Sequence, residues 1–387
     1  MTSDNRRLKI LFLTSWYPTQ ENPIWGVFVR EYARAASLDN DVYVLHLIEN
    51  DTHIKKLWLI EPELNRELTS GIDTVRVRIG SGLPSPIRYL NSIIGAIRAY
   101  RDVCSQGFRP DLIHAHIYRA GVPAVILGKL YHLPVVVSEH NSALVRRALP
   151  PHHVMMARIA YQNAALVLPV SQTLQKGIMK YKINARFRVI PNVVDTALFY
   201  PSRTVKNSDK THILFAGSLK PLKGLDYLIK SLATLPAHYK WKLDVVGEGP
   251  ERASAEALCS EFGITDRVSF HSFLTKPRLA EFMRQSDLFV LPSLTETFSV
   301  VTAEALATGL PALVTNCGGP EEYVNEQVGR VVPSGDTRAL SEAITSMLDD
   351  MERYSKDQIS NYASERFSPQ VVGKQLDAIY RQLTSQA

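Results

Sequence analysis

Short runs of β-branched and other apolar residues alternate along this chain with amphipathic segments of about 10–15 residues. Runs such as LKILFLTS, DVYVLHLI and LPVVVSE are separated by segments such as GVFVREYARAASL, and the last run of the first half is FRVIPN. This alternation is typical of βαβ units, in which parallel strands form a sheet and helices cover both of its faces. Burial on both faces also explains why runs such as VVV carry no alternating polar residues. The pattern therefore predicts an α/β protein.

The pattern changes after Asn192, where the segment VVDTALFYPSRTVKNSDKTH is polar, rich in turn residues and without periodicity. A second series of strands begins with HILFAGS and KLDVVGEGP, and 387 residues are enough for two domains. We predict two doubly wound, Rossmann-like domains over residues 1–192 and 211–366, joined by a linker over 193–210 and followed by a C-terminal helix over 367–387 that packs back toward the first domain. The carboxyl ends of both sheets are expected to face a common crevice. Ligands of such sheets bind at those ends, so we expect the ligand site in this crevice.

Basic residues are concentrated in the first half of the chain. Residues 1–190 hold 24 Lys+Arg and 14 Asp+Glu, a net charge of +10, while residues 191–387 hold 20 and 24, a net charge of −4, which together give the +6 of the whole chain. A field of this sign attracts the phosphates of lipid head groups, nucleic acids or phosphorylated metabolites. A solvated basic surface accounts for the same excess, so the charge alone does not choose among these partners.

Cysteine usage and hydropathy indicate a reducing, aqueous compartment. Cys104, Cys259 and Cys317 are far apart and form no CxxC pair, which argues against a secreted disulfide framework and against a zinc knuckle. The apolar runs are all well short of the ~20 residues that span a bilayer. We therefore expect a cytoplasmic protein without a transmembrane segment.

A pair of glutamates marks the strongest candidate site. Glu296 lies in a polar turn after the strand DLFVL, and Glu304 lies within a helix that begins at about Ser299, so the two carboxylates should bracket the helix start. Amides at a helix start are unpaired donors, and with the helix dipole they form an anion site suited to a diphosphate. The amides at this start are those of Phe298, Ser299 and Val300. The alternative is two surface glutamates near a helix cap.

The same region resembles a known family. ETFSVVTAEALATGLPALVTNCGG is similar to the E-x7-E signature of the family 4 retaining glycosyltransferases, which have the GT-B fold. FAGSLKPLKGLDYLIKSL, VVGEGPER and VIPNVVDTALFYP resemble further segments of that family in the family's order, and TSWYP, DLIHAH and VVVSEHN resemble its N-terminal segments more loosely. The resemblance implies two Rossmann-like domains facing a central cleft, the first binding the acceptor and the second the nucleotide sugar. It also implies transfer of a sugar from a nucleoside diphosphate sugar to an acceptor hydroxyl, with retention of configuration.

The resemblance implies roles for three charged residues of the second domain. Glu304 would accept hydrogen bonds from the nucleotide ribose, and Glu296 would accept them from hydroxyls of the donor sugar. Lys223, in KPLKG, would lie against the diphosphate and stabilise the charge that grows on the leaving group. Without the resemblance, Lys223 would be interpreted as a solvated loop lysine.

Two loops complete the implied donor site, with one departure from the family. Gly217 and Ser218 follow the strand HILFA, and Gly247 and Gly249 follow the strand KLDVV, where their backbones would line the nucleotide site. The second loop lacks the third glycine of a dinucleotide-binding GxGxxG. Ser218 stands where the family usually has arginine. Because a hydroxyl cannot replace a bidentate guanidinium, one phosphate contact is missing unless Lys220 supplies it as a point charge.

In the first domain, His140 is the strongest candidate. It follows the apolar strand PVVVSE, and the resemblance places it beside the reacting sugar, although a lone histidine at a strand end is more often structural. Gly26 is either part of a loop whose amides approach a phosphate or the acceptor, or a plain helix start. Arg146 and Arg147, with Arg30 and Arg119, are candidates for binding phosphates of the acceptor, or solvated arginines. His114 and His116 alternate on one strand, but without a partner ligand pattern we predict no metal site.

Together these features predict a metal-independent hexosyltransferase of polysaccharide or glycolipid assembly. Its substrates would be a UDP- or GDP-sugar, with no bound cofactor, and a saccharide or polyprenyl-linked glycolipid acceptor. The basic first domain makes the anionic cytoplasmic face of the inner membrane a candidate partner, and no nucleic acid partner is expected. Two alternatives remain open: a nucleotide-sugar epimerase of the same fold, and a non-catalytic protein that binds nucleotide sugars.

Overall fold

The computed structural model describes residues 6–54, 57–82, 84–202 and 209–386. The chain forms two compact units. The first comprises the chain up to Val193 together with the segment from Pro369 onward, and the second runs from Val194 to Ser368. Residues 203–208, which belong to the predicted linker, lie outside the described residues.

The first unit is built on a sheet whose seven described strands are parallel except at one edge. The strands are β1 (Lys9–Thr14), β2 (Asp41–Asp51), β3 (Trp58–Pro62), β4 (Asp73–Gly80), β5 (Leu112–His116), β6 (Val135–Glu139) and β7 (Leu166–Pro169). Their order is β3-β4-β2-β1-β5-β6-β7, and only β3 runs antiparallel to its neighbour. FRVIPN was predicted as a strand, and this prediction is wrong: it makes one bridge, between Phe187 and Val167. The next amide that would continue the pairing belongs to position 169 of β7, which is proline, so among the described residues only the amide of Ile190 still donates, to the carbonyl oxygen of Pro169 at 3.1 Å.

Helices follow the strands of the first unit, as βαβ units require. Those before the domain boundary are α1 (Val27–Ala36), α2 (Ser85–Ser105), α3 (Ile117–Tyr131), α4 (Ser142–Val145), α5 (Pro151–Asn163) and α6 (Gln172–Met179). The central strands are buried on both faces: all five residues of β5 and all five of β6 are buried. For β6 this burial agrees with the apolar run VVV, and in β5 it includes the alternating side chains of His114 and His116.

The second unit is built on a sheet whose six described strands are all parallel. They are β8 (Thr211–Ala216), β9 (Trp241–Val246), β10 (Val268–His271), β11 (Leu288–Leu291), β12 (Ala312–Thr315) and β13 (Gly329–Val332), in the order β10-β9-β8-β11-β12-β13. Its helices are α7 (Leu225–Ala233), α8 (Arg252–Glu261), α9 (Lys276–Gln285), α10 (Val300–Ala307), α11 (Thr337–Asp349) and α12 (Lys356–Phe367). Across both units, no described helix combines the length and the apolar character needed to cross a membrane.

The last helix, α13 (Pro369–Thr384), packs against α1 in the core of the first unit. Its buried apolar residues recur at helical spacing and are Val372, Leu376, Ile379, Tyr380 and Leu383. Burying one such side chain contributes about 1.5–3 kcal/mol, so the helix is firmly attached to this unit. Gly373 allows close contact, because a Cβ at that position would lie 2.4 Å from the carbonyl oxygen of Ala35.

The predicted donor loops leave one edge of the second sheet. Gly217 directly follows β8, Gly247 directly follows β9, and Glu296 lies between β11 and α10. The strands β9, β8 and β11 are neighbours in the sheet and run parallel. Their carboxyl ends therefore lie side by side, which brings loops that are distant in sequence to one edge.

Candidate active site

An ion pair joins the loops that carry Lys223 and Glu296. Nζ of Lys223 donates to Oε1 of Glu296, and the hydroxyl of Ser293 donates to the same oxygen at 3.0 Å. The amide of Glu296 donates to the carbonyl oxygen of Cys317 at 3.0 Å. Glu296 is only 8% exposed, so these partners, rather than solvent, fix the position of its carboxylate. One cation and one carboxylate are thus held at the carboxyl edge of β8 and β11.

Gly224 explains how the chain brings these loops together. Lys223 ends a short 3-10 turn, Pro221–Lys223, and Gly224 follows it with a φ of 66°, in the left-handed region that favours glycine. A Cβ on Gly224 would lie 2.2 Å from the carbonyl oxygen of Pro292, in the loop that carries Glu296. The two loops therefore pack backbone against backbone, which places the amine of Lys223 within reach of the carboxylate.

A second ion pair holds Glu304. This residue lies inside α10, is 4% exposed, and its Oε1 lies 2.7 Å from Nζ of Lys276 at the start of α9. The amine of Lys276 also lies 5.8 Å from the centre of the Phe199 ring. Lys276 was not identified from the sequence, because its partner is 28 residues away and no local spacing links the two. The carboxylate of Glu304 is therefore held by a cation in an almost fully buried position.

The backbone at the start of α10 is strained, and three amides there have no acceptor among the described residues. Ser299 precedes the helix with a φ of 67°, which is uncommon for a residue other than glycine, and its hydroxyl lies 2.8 Å from that of Thr302. The carbonyl oxygens of Phe298 and Ser299 lie 2.8 and 2.9 Å from the hydroxyl of Tyr323. Within the described part of the chain, the amides of Phe298, Ser299 and Val300 donate to no protein acceptor. Such amides can bind an anion.

The loops after β8 and β9 pack against each other through their backbones. Gly247 has a φ of 142°, and a Cβ there would lie 1.9 Å from the carbonyl oxygen of Gly217. A Cβ on Gly249 would lie 2.3 Å from the carbonyl oxygen of Leu219. Both glycines are therefore required by the close approach of the two loops.

Gly217 lies beside the side chain of Lys223, and Ser218 follows it in the same loop. A Cβ on Gly217 would lie 3.9 Å from Cε of Lys223, which is ordinary contact, so no steric clash requires glycine at this position. Ser218 and Lys220 are both exposed, and the amide of Lys220 donates to the carbonyl oxygen of Ser218 at 2.9 Å. The loop that carries Ser218 therefore also carries the amine of Lys220, in addition to that of Lys223.

Replacing Gly247 by alanine should strongly destabilise the second unit. The new methyl group would overlap the carbonyl oxygen of Gly217, and the backbone would be strained as well, so we expect the free energy of unfolding to fall by about 3 kcal/mol. Gly217→Ala is the matched control and should cost less than about 1 kcal/mol, because its methyl meets only a flexible lysine side chain. Urea denaturation measures both. Equal losses would contradict this account of the two loops.

In the first unit, His140 follows β6, and its amide and both ring nitrogens have protein partners. Its amide donates to Oε1 of Glu139 at 2.8 Å, its Nδ1 lies 3.1 Å from Oδ1 of Asn192, and its Nε2 lies 3.3 Å from Nδ1 of His116. Its ring centre lies 4.5 Å from that of Phe28. Among the described residues, no donor is bonded to the carbonyl oxygen of His140. That oxygen is the group that the residue can offer to a ligand without losing an existing contact.

Glu139, which was not identified from the sequence, fixes the turn that presents His140. Its carboxylate accepts hydrogen bonds from the amides of Tyr118, His140 and Asn141 at 3.0, 2.8 and 2.7 Å, and from the hydroxyl of Tyr161. Burial raises the pKa of Glu139, and these hydrogen bonds oppose the rise. An acidic residue at the end of an otherwise apolar strand was the signal that could have revealed it, because a buried carboxylate needs several donors.

The two alternating histidines of β5 are packed in the core. Nδ1 of His114 lies 2.6 Å from the hydroxyl of Tyr380, and its Nε2 lies 2.8 Å from Oγ of Ser138. The rings of His114 and His116 are stacked with their centres 4.5 Å apart. In the ranges that the structure describes, no group of three or more histidine, cysteine, aspartate or glutamate side chains is placed to hold a metal ion.

Buried histidines, His46 among them, should make the first unit labile to acid. Burial lowers the pKa of His114 and of His140 to about 3, and that of His116 well below its ordinary value. In the unfolded chain each titrates near 6.5, so the stability present above pH 6.5 is lost as the pH falls toward 3, because the unfolded state binds more protons. Each histidine should cost roughly 2 kcal/mol between pH 6.5 and pH 5.

Urea denaturation at a series of pH values tests this expectation. The free energy of unfolding should fall steeply below about pH 6.5, where the unfolded histidines begin to bind protons. His114→Phe keeps a ring in the stack and removes one titrating group, so its pH slope should be shallower than that of the wild type, whatever its absolute stability. A wild-type stability that does not change over this range would show that the histidines are not buried in neutral form.

Gly26 and Arg146 occupy different kinds of position in the first unit. Gly26 precedes α1 with a φ of 69°, and a Cβ there would lie 2.3 Å from the carbonyl carbon of Trp16. It therefore allows the loop after β1 to pack against the helix start. Arg146 is exposed at the end of α4.

Two family models match adjacent parts of the chain. Residues 27–198 match the model described as Glycosyltransferase Family 4, and residues 199–366 match the model described as Glycosyl transferases group 1. The D-inositol 3-phosphate glycosyltransferase of Xylanimonas cellulosilytica is 29% identical over 303 residues, covering 71% of this chain and 72% of that protein. The protein of the same name from an Arthrobacter species is 27% identical over 284 residues, covering 67% of each chain.

Solved structures share the architecture of both units. Sucrose-phosphate synthase from Thermosynechococcus elongatus has a TM-score of 0.76 at 21% identity, covering 99% of this chain and 100% of that chain. HepE of Anabaena in complex with UDP-glucose has a TM-score of 0.73 at 21% identity, covering 97% and 100%. At such identities the likeness shows the fold, and the two family models account for both halves of the sequence. The chain therefore belongs to the family 4 glycosyltransferases of GT-B fold.

Proposed function

We propose that this glycosyltransferase moves a hexose from a nucleoside diphosphate sugar to an acceptor hydroxyl, with retention of configuration and without a metal ion. The observation that carries the proposal is the Lys223–Glu296 ion pair at the carboxyl edge of the second sheet. Glu296 lies in the loop that leads into α10, whose first amides are open. A cation, a carboxylate and an anion-binding helix start suit a substrate that joins a diphosphate to a sugar.

Each part of the donor has a matching group in the second unit. The amine of Lys223 and the amides at residues 298–300 suit the diphosphate. The carboxylate of Glu304 suits the ribose diol, and that of Glu296 suits hydroxyls of the sugar. Both carboxylates are already paired with lysines, so substrate hydroxyls would join an existing ion pair rather than meet an uncompensated charge. The donor is a substrate, a UDP- or GDP-sugar, and the complex of HepE with UDP-glucose favours the first of these.

In the proposed reaction, the protein stabilises the leaving group. As the bond between the anomeric carbon and the diphosphate oxygen breaks, negative charge grows on that oxygen, and Lys223 and the helix start offset it. The acceptor oxygen attacks from the face that the diphosphate leaves, and its proton passes to the departing phosphate oxygen. Configuration is retained, and no second carboxylate of the glycosidase kind is required. The lysine and the helix dipole supply the positive charge that a divalent cation supplies in other transferases.

His140 is proposed to position the reacting sugar rather than to act as a base. Its ring is held by His116 and Asn192, and burial lowers its pKa to about 3, so it stays neutral near pH 7. Its carbonyl oxygen can accept a hydrogen bond from a hydroxyl of the sugar. This role requires the turn that Glu139 holds in place.

The acceptor is proposed to be a saccharide, either free or carried on a polyprenyl lipid, in polysaccharide or glycolipid assembly. A lipid-linked acceptor would bring the enzyme to the cytoplasmic face of the inner membrane, and the +10 charge of residues 1–190 supports attraction to that surface. Co-sedimentation with vesicles containing phosphatidylglycerol tests this part, and binding should weaken as salt is added. A protein that ignores such vesicles at low salt and glycosylates only soluble acceptors would exclude it.

A thermal-shift screen tests the donor assignment. Nucleoside diphosphates and their sugars are added singly, with and without EDTA, and one base should raise the melting temperature in both conditions. Turnover with that donor and its acceptor should then give a product whose anomeric configuration, read by proton NMR, matches the donor. Loss of activity in EDTA would contradict a reaction without a metal ion. A product of inverted configuration would contradict retention. Epimerisation of the donor without an acceptor would favour an epimerase, and binding without turnover would favour a non-catalytic protein.

A further inference from the structure

A pocket in the first unit has no role in the functions described so far. Its volume is about 290 Å³, and its lining comes from the loop after β1, the second half of β2 and the first turn of α3. This is the carboxyl edge of the sheet, where ligands of parallel sheets bind. The volume lies at the small end of the range for ligand pockets, about 300–1,000 Å³, which suits a single ring. The side chains that decide its chemistry are Trp16, Trp25, Glu49 and Arg119.

An exposed indole forms one wall of the pocket. Trp25 is 49% exposed, and the residues that precede it, 20–24, are exposed as well. Trp16 supports it edge-on, with ring centres 5.5 Å apart and planes at 66°, and Phe28 supports Trp16 in the same way at 5.9 Å. An aromatic face that is open to a pocket suits a ligand with an apolar face, such as the C–H face of a sugar ring.

The charges at the pocket cancel. Arg119 donates through Nη2 to Oε2 of Glu49, whose side chain is 15% exposed. His46, which also lines the pocket, is neutral at pH 7, because burial, together with the nearby charge of Arg76, lowers its pKa well below the ordinary value. One cation and one anion remain, so the lining of the pocket has no net charge. The pair nevertheless presents both donors and acceptors to a ligand.

We propose that this pocket binds one uncharged sugar ring of the acceptor, with a C–H face against Trp25 and neighbouring hydroxyls on the Glu49–Arg119 pair. The proposal rests on the proposed transferase function and adds where one ring of the acceptor binds and that this ring is uncharged. A vicinal diol can donate to the carboxylate and accept from the guanidinium without separating them. A phosphate ester would have to take Arg119 from Glu49, leaving a nearly buried carboxylate unpaired beside a second anion. The pocket therefore selects against phosphorylated rings.

Fluorine NMR of the full chain labelled with 5-fluorotryptophan tests the proposal without turnover or donor. The chain has four tryptophans, so Trp25 is assigned with Trp25→Phe, and Trp241, which is 2% exposed in the second unit, is the internal control. The probes are the methyl α-glycosides of glucose, galactose and mannose, and D-inositol 3-phosphate. At least one glycoside should shift the Trp25 signal saturably and leave Trp241 unchanged, while the phosphate should not shift Trp25. A Trp25 signal that responds to none of the glycosides, or that responds more to the phosphate, would overturn the proposal.

Glu49→Gln provides a gain-of-binding test. The substitution keeps the size of the side chain and removes its charge, so Arg119 becomes available to an anion. The affinity of the pocket for D-inositol 3-phosphate should then rise about tenfold or more, and that for the responding glycoside should fall. If Glu49→Gln prefers the glycoside to the phosphate as strongly as the wild type does, the Glu49–Arg119 pair does not set the selectivity. Because nucleotide binding is measured separately by thermal shift, failure of either test would leave the donor assignment standing.

Discussion

Replacing Lys223 by alanine should lower turnover by about 10²- to 10³-fold. The amine is held beside Glu296 by two loops that pack backbone to backbone, so it is already in place before the leaving group gains charge. Its interaction with the diphosphate strengthens as the glycosidic bond breaks, and only such strengthening accelerates the chemical step. We therefore expect the dissociation constant for the free nucleoside diphosphate, measured by calorimetry, to rise much less than the turnover falls.

Two controls separate this effect from a loss of folding or of surface charge. Lys242→Ala removes the same charge from an exposed position on β9 and should leave both quantities unchanged. Lys223→Ala also leaves the carboxylate of Glu296 without its cation, which lowers stability, so Lys223→Met combined with Glu296→Gln removes the pair as a unit. If Lys223→Ala stays within about threefold of wild-type turnover while its stability falls, the lysine is a structural partner of Glu296.

The alternation of apolar runs was enough to predict most of the fold. Strands such as β1 and β6 contain the apolar runs ILFL and VVV because both faces are buried, and this signal is strong in a single sequence. The edge strand β3 and the strand β13 were missed, because each is short and only partly buried. FRVIPN has the composition of a strand, but pairing depends on available amides and neighbours that composition does not report.

The candidate site was predictable only in part, and the reason is sequence distance. The E-x7-E spacing located Glu296 and Glu304 around the start of α10, where the structure has them. Their lysine partners are 73 and 28 residues away, so the sequence pointed to Lys223 only through a resemblance and did not point to Lys276. The partners of His140 belong to β5 and to the segment after α6, which meet it only in the folded unit.

Backbone strain is found at both candidate sites. Ser299 has a φ of 67° immediately before α10, and Ile117, fully buried, has a φ of 62° at the start of α3. A β-branched residue in the left-handed region is a genuine outlier, which persists only where neighbouring contacts impose it. The amide that follows Ile117 is bound by Glu139, the residue that also holds the turn of His140. Strain and buried hydrogen bonds thus fix the turn that carries His140 before any ligand arrives.

Glu304→Gln should reduce affinity for the nucleoside diphosphate by about 100-fold and change the melting temperature little. The two hydrogen bonds from a ribose diol to a carboxylate are charge-assisted, each worth about 1.5–3 kcal/mol, and an amide accepts them more weakly. Lys276 loses its partner, but its side chain is 28% exposed and can turn toward solvent. A 2′,3′-dideoxy analogue isolates the contact. The wild type should bind this analogue far more weakly than the parent nucleotide, whereas Glu304→Gln should bind the two almost equally.

Two further variants provide stability losses with which that of Glu304→Gln can be compared. Leu306→Ala truncates a fully buried side chain on the same helix and should cost about 2–5 kcal/mol. Lys276→Met removes the cation that lies 2.7 Å from the nearly buried carboxylate of Glu304, so it should destabilise the unit more than Glu304→Gln does, although the pair that is broken is the same. A larger loss of stability in Lys276→Met than in Glu304→Gln is expected of a carboxylate that is kept buried to bind a ligand. A Glu304→Gln protein that binds nucleotide normally and melts as early as Leu306→Ala would instead make the glutamate a part of the core.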